Sequence, residues 1–169
     1  MATDETPEPD DPSEEGLWRP LWALFREMDG DIARLYREAE IEGVRTTWVG
    51  ELLRLDRRGP MTIRELADSM GHSHSALSQK VAAMRAAGLV DTLPGEDART
   101  KRVTLTDRAR SVVGRLAAEW RATERASREL EAELPYPLSQ VVQDMRQALE
   151  RRSFHDRIAA LLAEDPQWR

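Results

Sequence analysis

Residues 61–110 read MTIRELADSMGHSHSALSQKVAAMRAAGLVDTLPGEDARTKRVTLTDRAR. Thr62 stands three residues before Glu65, the spacing of a capping box. Ile63, Leu66, Ala67 and Met70 then recur at i, i+3, i+4 and i+7, and Gly71 supplies the left-handed stop. Such a helix has about two turns and is marginal unless it packs on something. Ser73 is placed to cap a second helix with an inward stripe of Leu77, Val81 and Met84, ending at Gly88. Leu89 to Leu93 reads as a strand, Pro94-Gly95-Glu96-Asp97 as a turn, and Lys101 to Leu105 as an alternating return strand.

The order is therefore helix, tight glycine turn, helix, hairpin. Two helices joined by a three- to four-residue turn make a helix-turn-helix, and the hairpin behind them makes a wing. Upstream, Leu17, Leu21, Leu24, Phe25, Met28, Ile32, Leu35 and Tyr36 fall at helical spacing, with Pro20 suited to a first turn. Gly43 breaks that pattern. Val44, Trp48, Leu52 and Leu55 form the next stripe, closed by Arg57-Arg58-Gly59-Pro60.

Downstream, a long helix starts at Thr106. Its residues Val113, Leu116, Trp120, Thr123, Ser127, Leu130 and Leu134 follow a 3-4 spacing like a coiled-coil seam, halted at Pro135-Tyr136-Pro137. Leu138, Val141, Val142, Met145 and Leu149 mark one further helix. Phe154, Ile158, Leu161 and Leu162 mark a last one, with Ser153 as its cap. The fold class expected is mainly α with a small β-hairpin wing. Four regions are expected: an acidic disordered tail (1–16), an N-terminal dimerisation helix (17–42), a winged helix-turn-helix domain (43–110), and a long helix with C-terminal dimerisation helices (111–169).

The 169 residues carry 31 acidic and 25 basic side chains, a formal charge of −6, and a pI near 5.2. An acidic pI argues at first against nucleic acid as partner. The charge is unevenly placed, however. Residues 1–16 hold seven acids, three prolines and no Lys or Arg, a composition that cannot bury apolar surface. Residues 51–110 hold eleven basic and eight acidic groups, so the excess positive charge lies in the block with the helix-turn-helix pattern. The absence of cysteine excludes disulfides, thiolate zinc sites, cysteine nucleophiles and thiol-based sensing. No apolar run approaches the roughly 20 residues that cross a bilayer, and no signal-peptide core precedes the first helix. The reading is cytoplasmic, without a membrane partner.

With Leu77, Val81 and Met84 inward, His74, Ser75, Ser78, Gln79 and Ala82 face outward. Short polar residues at a helix N-terminus let its axis sink into the DNA major groove. Gln79 can bond an adenine bidentately, and Ser73, His74, Ser75 and Ser78 can reach bases or phosphates. Lys80 and Arg85 flank this face and suit phosphates. In the hairpin, Asp97 stands two before Arg99 and can orient its guanidinium for a narrow minor groove, beside Lys101 and Arg102.

These residues resemble the core of the MarR (multiple antibiotic resistance regulator) family. The family's wing signature, Asp-x-Arg, five residues, Leu-Thr, two residues, Gly, is met at Asp97, Arg99, Leu105 and Thr106, with Ala109 in place of the glycine. The segment SHSALSQ followed by GLV is also family-like, while His72 stands where an aliphatic residue is usual. The resemblance implies a homodimer with interlocked terminal helices that reads an inverted repeat in double-stranded DNA. It further implies repression, and release by a small aromatic or anionic effector.

Other readings of the same residues carry less. Trp22, Trp48 and Trp120 suit core and dimer-interface filling, and are also candidate walls of a ligand pocket. His72, His74 and His155, without cysteine, would need carboxylates to hold zinc, so no metal or cofactor is expected. Ser73 and Ser75 near His74 lack an accompanying acid or oxyanion donor, which speaks against an enzyme. The alternative function is a winged-helix protein-interaction module without sequence-specific DNA binding. The basic wing beside a polar helix face favours the DNA-binding reading.

Overall fold

The computed structural model describes residues 16–95 and 100–168. The acidic stretch expected as a tail therefore lies, up to residue 15, outside the described residues, and so does the wing tip with Asp97 and Arg99. The chain forms two compact units, divided between Ala117 and Ala118.

The first unit begins with α1 (Arg19–Glu38), which has Pro20 in its first turn, where a missing N–H costs nothing. A 3-10 turn at Thr46–Trp48 leads into α2 (Val49–Arg58). Val44, expected to open this helix, precedes it and packs half-buried against the core. Next come α3 (Ile63–Met70) and α4 (His74–Ala86). The capping box of α3 is complete: Thr62 Oγ1 accepts the Glu65 N–H at 3.1 Å, and a Glu65 carboxylate oxygen accepts the Thr62 N–H at 2.7 Å. Gly71 closes α3 in the left-handed region at φ +67°, where a Cβ would be strained.

The hairpin pairs β1 (Val90–Pro94) with β2 (Lys101–Leu105) in antiparallel register, from Val90 opposite Leu105 to Pro94 opposite Lys101. The strand starts one residue after the expected Leu89, because the Leu89 N–H bonds the Met84 carbonyl at 3.0 Å and so belongs to the close of α4. Met61 adds a short third edge by exchanging two backbone hydrogen bonds with Val103. Helix α5 (Asp107–Ala132) follows. Thr106 caps it by accepting the Ala109 N–H, while its own hydroxyl donates to the Gly88 carbonyl at 2.8 Å.

One core unites these elements: Leu52, Leu55, Leu66, Leu77, Val81, Met84, Leu89, Val103, Leu105, Val113 and Leu116 are all buried. Ala109 is buried there too, consistent with alanine serving in a helix interior. Leu66, Leu77 and Met84 are fully enclosed, which joins the short α3 to α4 and supplies the packing that α3 lacks on its own.

The second unit holds the rest of α5, then α6 (Leu138–Arg151), α7 (Phe154–Glu164) and a 3-10 turn at Pro166–Trp168. Ser153 caps α7 by accepting the Asp156 N–H at 3.0 Å. No residue of α6 or α7 is buried. Along the expected seam, Val113 and Leu116 enter the core of the first unit, whereas Trp120, Leu130 and Leu134 are exposed.

Candidate nucleic-acid interface

The buried stripe of α4 determines what the helix shows outward. With Leu77, Val81 and Met84 inside, His74, Ser75, Gln79 and Arg85 are exposed and Ser78 is half-buried. Ser73 is exposed at the N-cap, and its Oγ accepts the Ala76 N–H at 3.2 Å. His74, Ser75, Ser78 and Gln79 are short, polar and gathered over the first two turns, and the free backbone N–H groups of the first turn favour anionic partners.

Two basic residues assigned to this surface are engaged by the protein itself. The Lys80 ammonium donates to Glu51 Oε1 at 2.7 Å and to the Thr47 carbonyl at 3.0 Å. Glu51 is only 1% exposed, so Lys80 neutralises a buried carboxylate, and His72 Nε2 lies 3.4 Å from the same oxygen. Arg102 donates from Nε to the Pro60 carbonyl at 3.1 Å, with a second nitrogen 3.6 Å from Glu65. Lys101 is exposed on β2. The Gly95 N–H donates to the Thr100 carbonyl at 2.7 Å.

The Glu65 carboxyl is held below its ordinary pKa, first by the hydrogen bond from the Thr62 backbone, then by the Thr62 hydroxyl, with Arg102 adding attraction. The anchoring of the wing and the capping of α3 thus share one carboxylate.

Of the tryptophans, Trp48 is buried in the first unit's core with the Arg45 guanidinium 5.0 Å over its ring. Trp22 is exposed on α1 and meets Phe25 edge-on at 6.3 Å. Trp120 is exposed in the second unit. An open hollow of about 800 Å³ lies between the end of α1 and the segment before α2, lined by Tyr36, Arg37, Ile41, Val44, Arg45 and Thr47 among others. Its lining includes neither Trp22 nor Trp48. Among the described residues, no His, Asp or Glu cluster is arranged to hold a metal ion, and no helix is long and apolar enough to cross a membrane.

Sequence reasoning missed three contacts made at long range. Glu51 looks like an ordinary helix-surface acid, the Met61 edge has no local signal, and Arg108 reads as a solvated charge. In the structure, Arg108 donates to the carbonyls of Ala87 and Glu42, at 2.7 and 2.9 Å. It thereby ties the close of α4 to the loop after α1. Across the joint, Gly43 at φ +71° leaves room for it: a Cβ there would come within 2.6 Å of the Arg108 guanidinium.

Residues 42–100 match the model of the MarR family. No curated protein matches the chain. Among solved structures, the M. tuberculosis transcriptional regulator MOSR in complex with DNA is similar at 25% identity and a TM-score of 0.57, over 81% of this chain and 98% of that one. The S. aureus MepR–DNA complex is similar in fold at 12% identity and a TM-score of 0.59, over 81% and 98% of the two chains. The heme sensor PefR from Streptococcus agalactiae, in complex with heme, is similar at 17% identity and a TM-score of 0.56, over 84% and 97%. Residues 42–100 are thus similar to the MarR family over α2, α3, α4 and the first strand of the hairpin, and the helix, helix, wing architecture is shared with these solved structures.

Proposed function

We propose that the chain is a homodimeric, sequence-specific DNA-binding transcription regulator, acting as a repressor. The carrying observation is the outward face of α4: Ser75, Gln79 and His74 exposed above a fully enclosed Leu77–Met84 stripe, next to a basic hairpin. A helix presented in this way fits the major groove, with the wing beside it at the minor groove. MOSR and MepR, similar in fold, are DNA complexes, which supports the reading.

Dimerisation is supported by the apolar side chains that one copy leaves uncovered. Val141, Val142, Met145 and Leu149 of α6 and Phe154 and Leu161 of α7 are all exposed. Covering such a surface contributes about 25 cal/mol for each Å² removed from water. A second copy related by a two-fold axis would present two α4 helices and so read an inverted repeat, its half-sites about 10 bp or a multiple apart. The hollow has Tyr36, Ile41 and Val44 as apolar walls and charged side chains of both signs, Arg37 and Arg45 with Asp29, Glu40 and Glu42, and is a candidate seat for a small effector with an apolar body.

The test is selection of bound genomic fragments with the purified chain. An enriched inverted repeat supports the reading. Without enrichment, the domain would be a protein-docking module.

A further inference from the structure

The Glu51–Lys80 pair has a place in sequence readout, an inference that rests on the DNA-binding reading above. Helix α4 lies on the core through Leu77, Val81 and Met84. Apolar contact of this kind is non-directional and resists rolling of the helix about its own axis only weakly. Roll matters for reading bases. An atom at the helix's outer radius of about 6 Å moves about 1 Å for a roll of about 10°, while a hydrogen bond tolerates only about 0.5 Å between its short and long limits.

Directional bonds are what can hold the roll. Lys80 makes two: to Glu51 Oε1 at 2.7 Å and to the Thr47 carbonyl at 3.0 Å, both acceptors lying at or just before the first turn of α2. Lys80 adjoins Gln79, one step or about 100° around the helix. Whatever fixes the Lys80 side chain therefore fixes the direction in which Gln79 leaves the surface. Glu51 is enclosed and Lys80 half-buried; such a pair is a poor source of net stability, and in some proteins it specifies a single geometry instead. His72, in the turn between α3 and α4, reaches the same carboxylate oxygen at 3.4 Å, so the turn and the helix share one anchor.

We propose that Glu51 is a positioning residue for DNA readout: through Lys80 it sets the roll of α4, and Lys80 is an internal anchor rather than a phosphate contact. The two roles for Lys80 differ in sign and in salt dependence. Full-length Glu51→Gln, Lys80→Met and the double variant are titrated, over a range of salt, with the selected operator duplex and with a scrambled duplex. Anchoring predicts that each single variant loses about tenfold in the ratio of operator to scrambled affinity, the scale of one bidentate base contact. It also predicts an unchanged salt slope and a double variant no worse than the singles. A phosphate contact instead predicts equal weakening on both duplexes and a salt slope smaller by about one for Lys80→Met. It also predicts tighter binding by Glu51→Gln, which has lost a negative charge. That pattern, or an unchanged ratio in Glu51→Gln, overturns the proposal. Should Lys80→Met fail to fold with the Glu51 carboxylate buried and deprived of its lysine, the double variant carries the same comparison. Should the wild type prefer no duplex, the DNA reading fails, and amide hydrogen exchange over residues 74–86 of the free protein still judges the anchor. Faster exchange in Glu51→Gln supports the anchor and unchanged exchange overturns it.

Discussion

Arg102 donates from Nε to the carbonyl oxygen of Pro60 at 3.1 Å, which fastens the second strand of the wing to the connection between α2 and α3. Its neighbour Lys101 points to solvent from the same strand. Two adjacent basic residues therefore have separable roles. Arg102→Ala should lower stability by about 1 kcal/mol, the usual net value of such a partly exposed bond. Lys101→Ala should leave urea unfolding unchanged and reduce the salt slope of DNA binding by about one. Urea titration and salt-dependent binding of both variants check the division.

The shared carboxylate of Glu65 makes the junction acid-sensitive. Its pKa is lowered in the folded chain, chiefly by the Thr62 backbone N–H. A depressed carboxylate contributes stability above its unfolded pKa, about 4.3 for glutamate, and that contribution is lost as pH falls through the lower, folded value. Glu65→Gln should flatten this acid limb of the stability curve. Thr62→Ala should cost about 1 kcal/mol near neutral pH through loss of the N-cap. Thermal melts between neutral and acid pH measure both effects.

How much of this was legible depends on the range of each interaction. The Thr62–Glu65 box, Gly71 and the Ser73 and Ser153 caps lie within four or five residues, and local chemistry dictates them. The alternation expected of β2 is not seen in its burial, because Thr104 is enclosed along with Val103 and Leu105. The burial of Leu77, Val81 and Met84 follows from helical spacing alone. By contrast, Lys80–Glu51, Arg102–Pro60 and Arg108–Glu42 join residues far apart in the chain. A basic side chain seen in sequence looks the same whether it faces a phosphate or a buried carboxylate. The outward polar set of α4 was therefore readable, while the inward anchoring of Lys80 and Arg102 needed the fold.

Gly43 and Arg108 form the other long-range joint. At φ +71° an alanine at position 43 would be strained, and its Cβ would meet the Arg108 guanidinium at 2.6 Å. Gly71, at φ +67°, has open space where a Cβ would go. Gly71→Ala should thus cost about 1 kcal/mol for the left-handed backbone alone. Gly43→Ala should cost more, up to about 3 kcal/mol, because the Arg108 nitrogen that donates to the Glu42 carbonyl must also shift. The difference between their urea midpoints, at equal m-values, is the measurement.

The exposed stripe on α6 predicts an association phenotype. Met145 lies between Val141, Val142 and Leu149 on that helix, and all four are exposed in one copy. Met145→Asp would place a charge where a second copy is proposed to pack, and burying an unpaired carboxylate is strongly unfavourable. Sedimentation equilibrium should find this variant monomeric at concentrations where the wild type is dimeric. Its operator affinity should fall steeply, since one subunit reads one half-site. A wild type that sediments as a monomer would remove the dimer from the proposal.

Gln79 and Arg99 should fail in different ways on DNA. Gln79 is exposed on α4, with an amide that can both donate to and accept from adenine in the major groove. Gln79→Ala should lose about 1–3 kcal/mol at one base pair of each half-site and little on scrambled DNA. Arg99, proposed for the minor groove, would respond to groove width rather than to a base edge. Arg99→Ala should weaken binding chiefly where the flanks are A·T-rich, since narrow minor grooves carry the stronger negative potential. Binding measured against a panel of single-base operator variants and flank substitutions resolves both patterns. Uniform loss on every duplex for Gln79→Ala would make it a positioning contact instead, and undiminished affinity for Arg99→Ala would take the wing tip out of recognition.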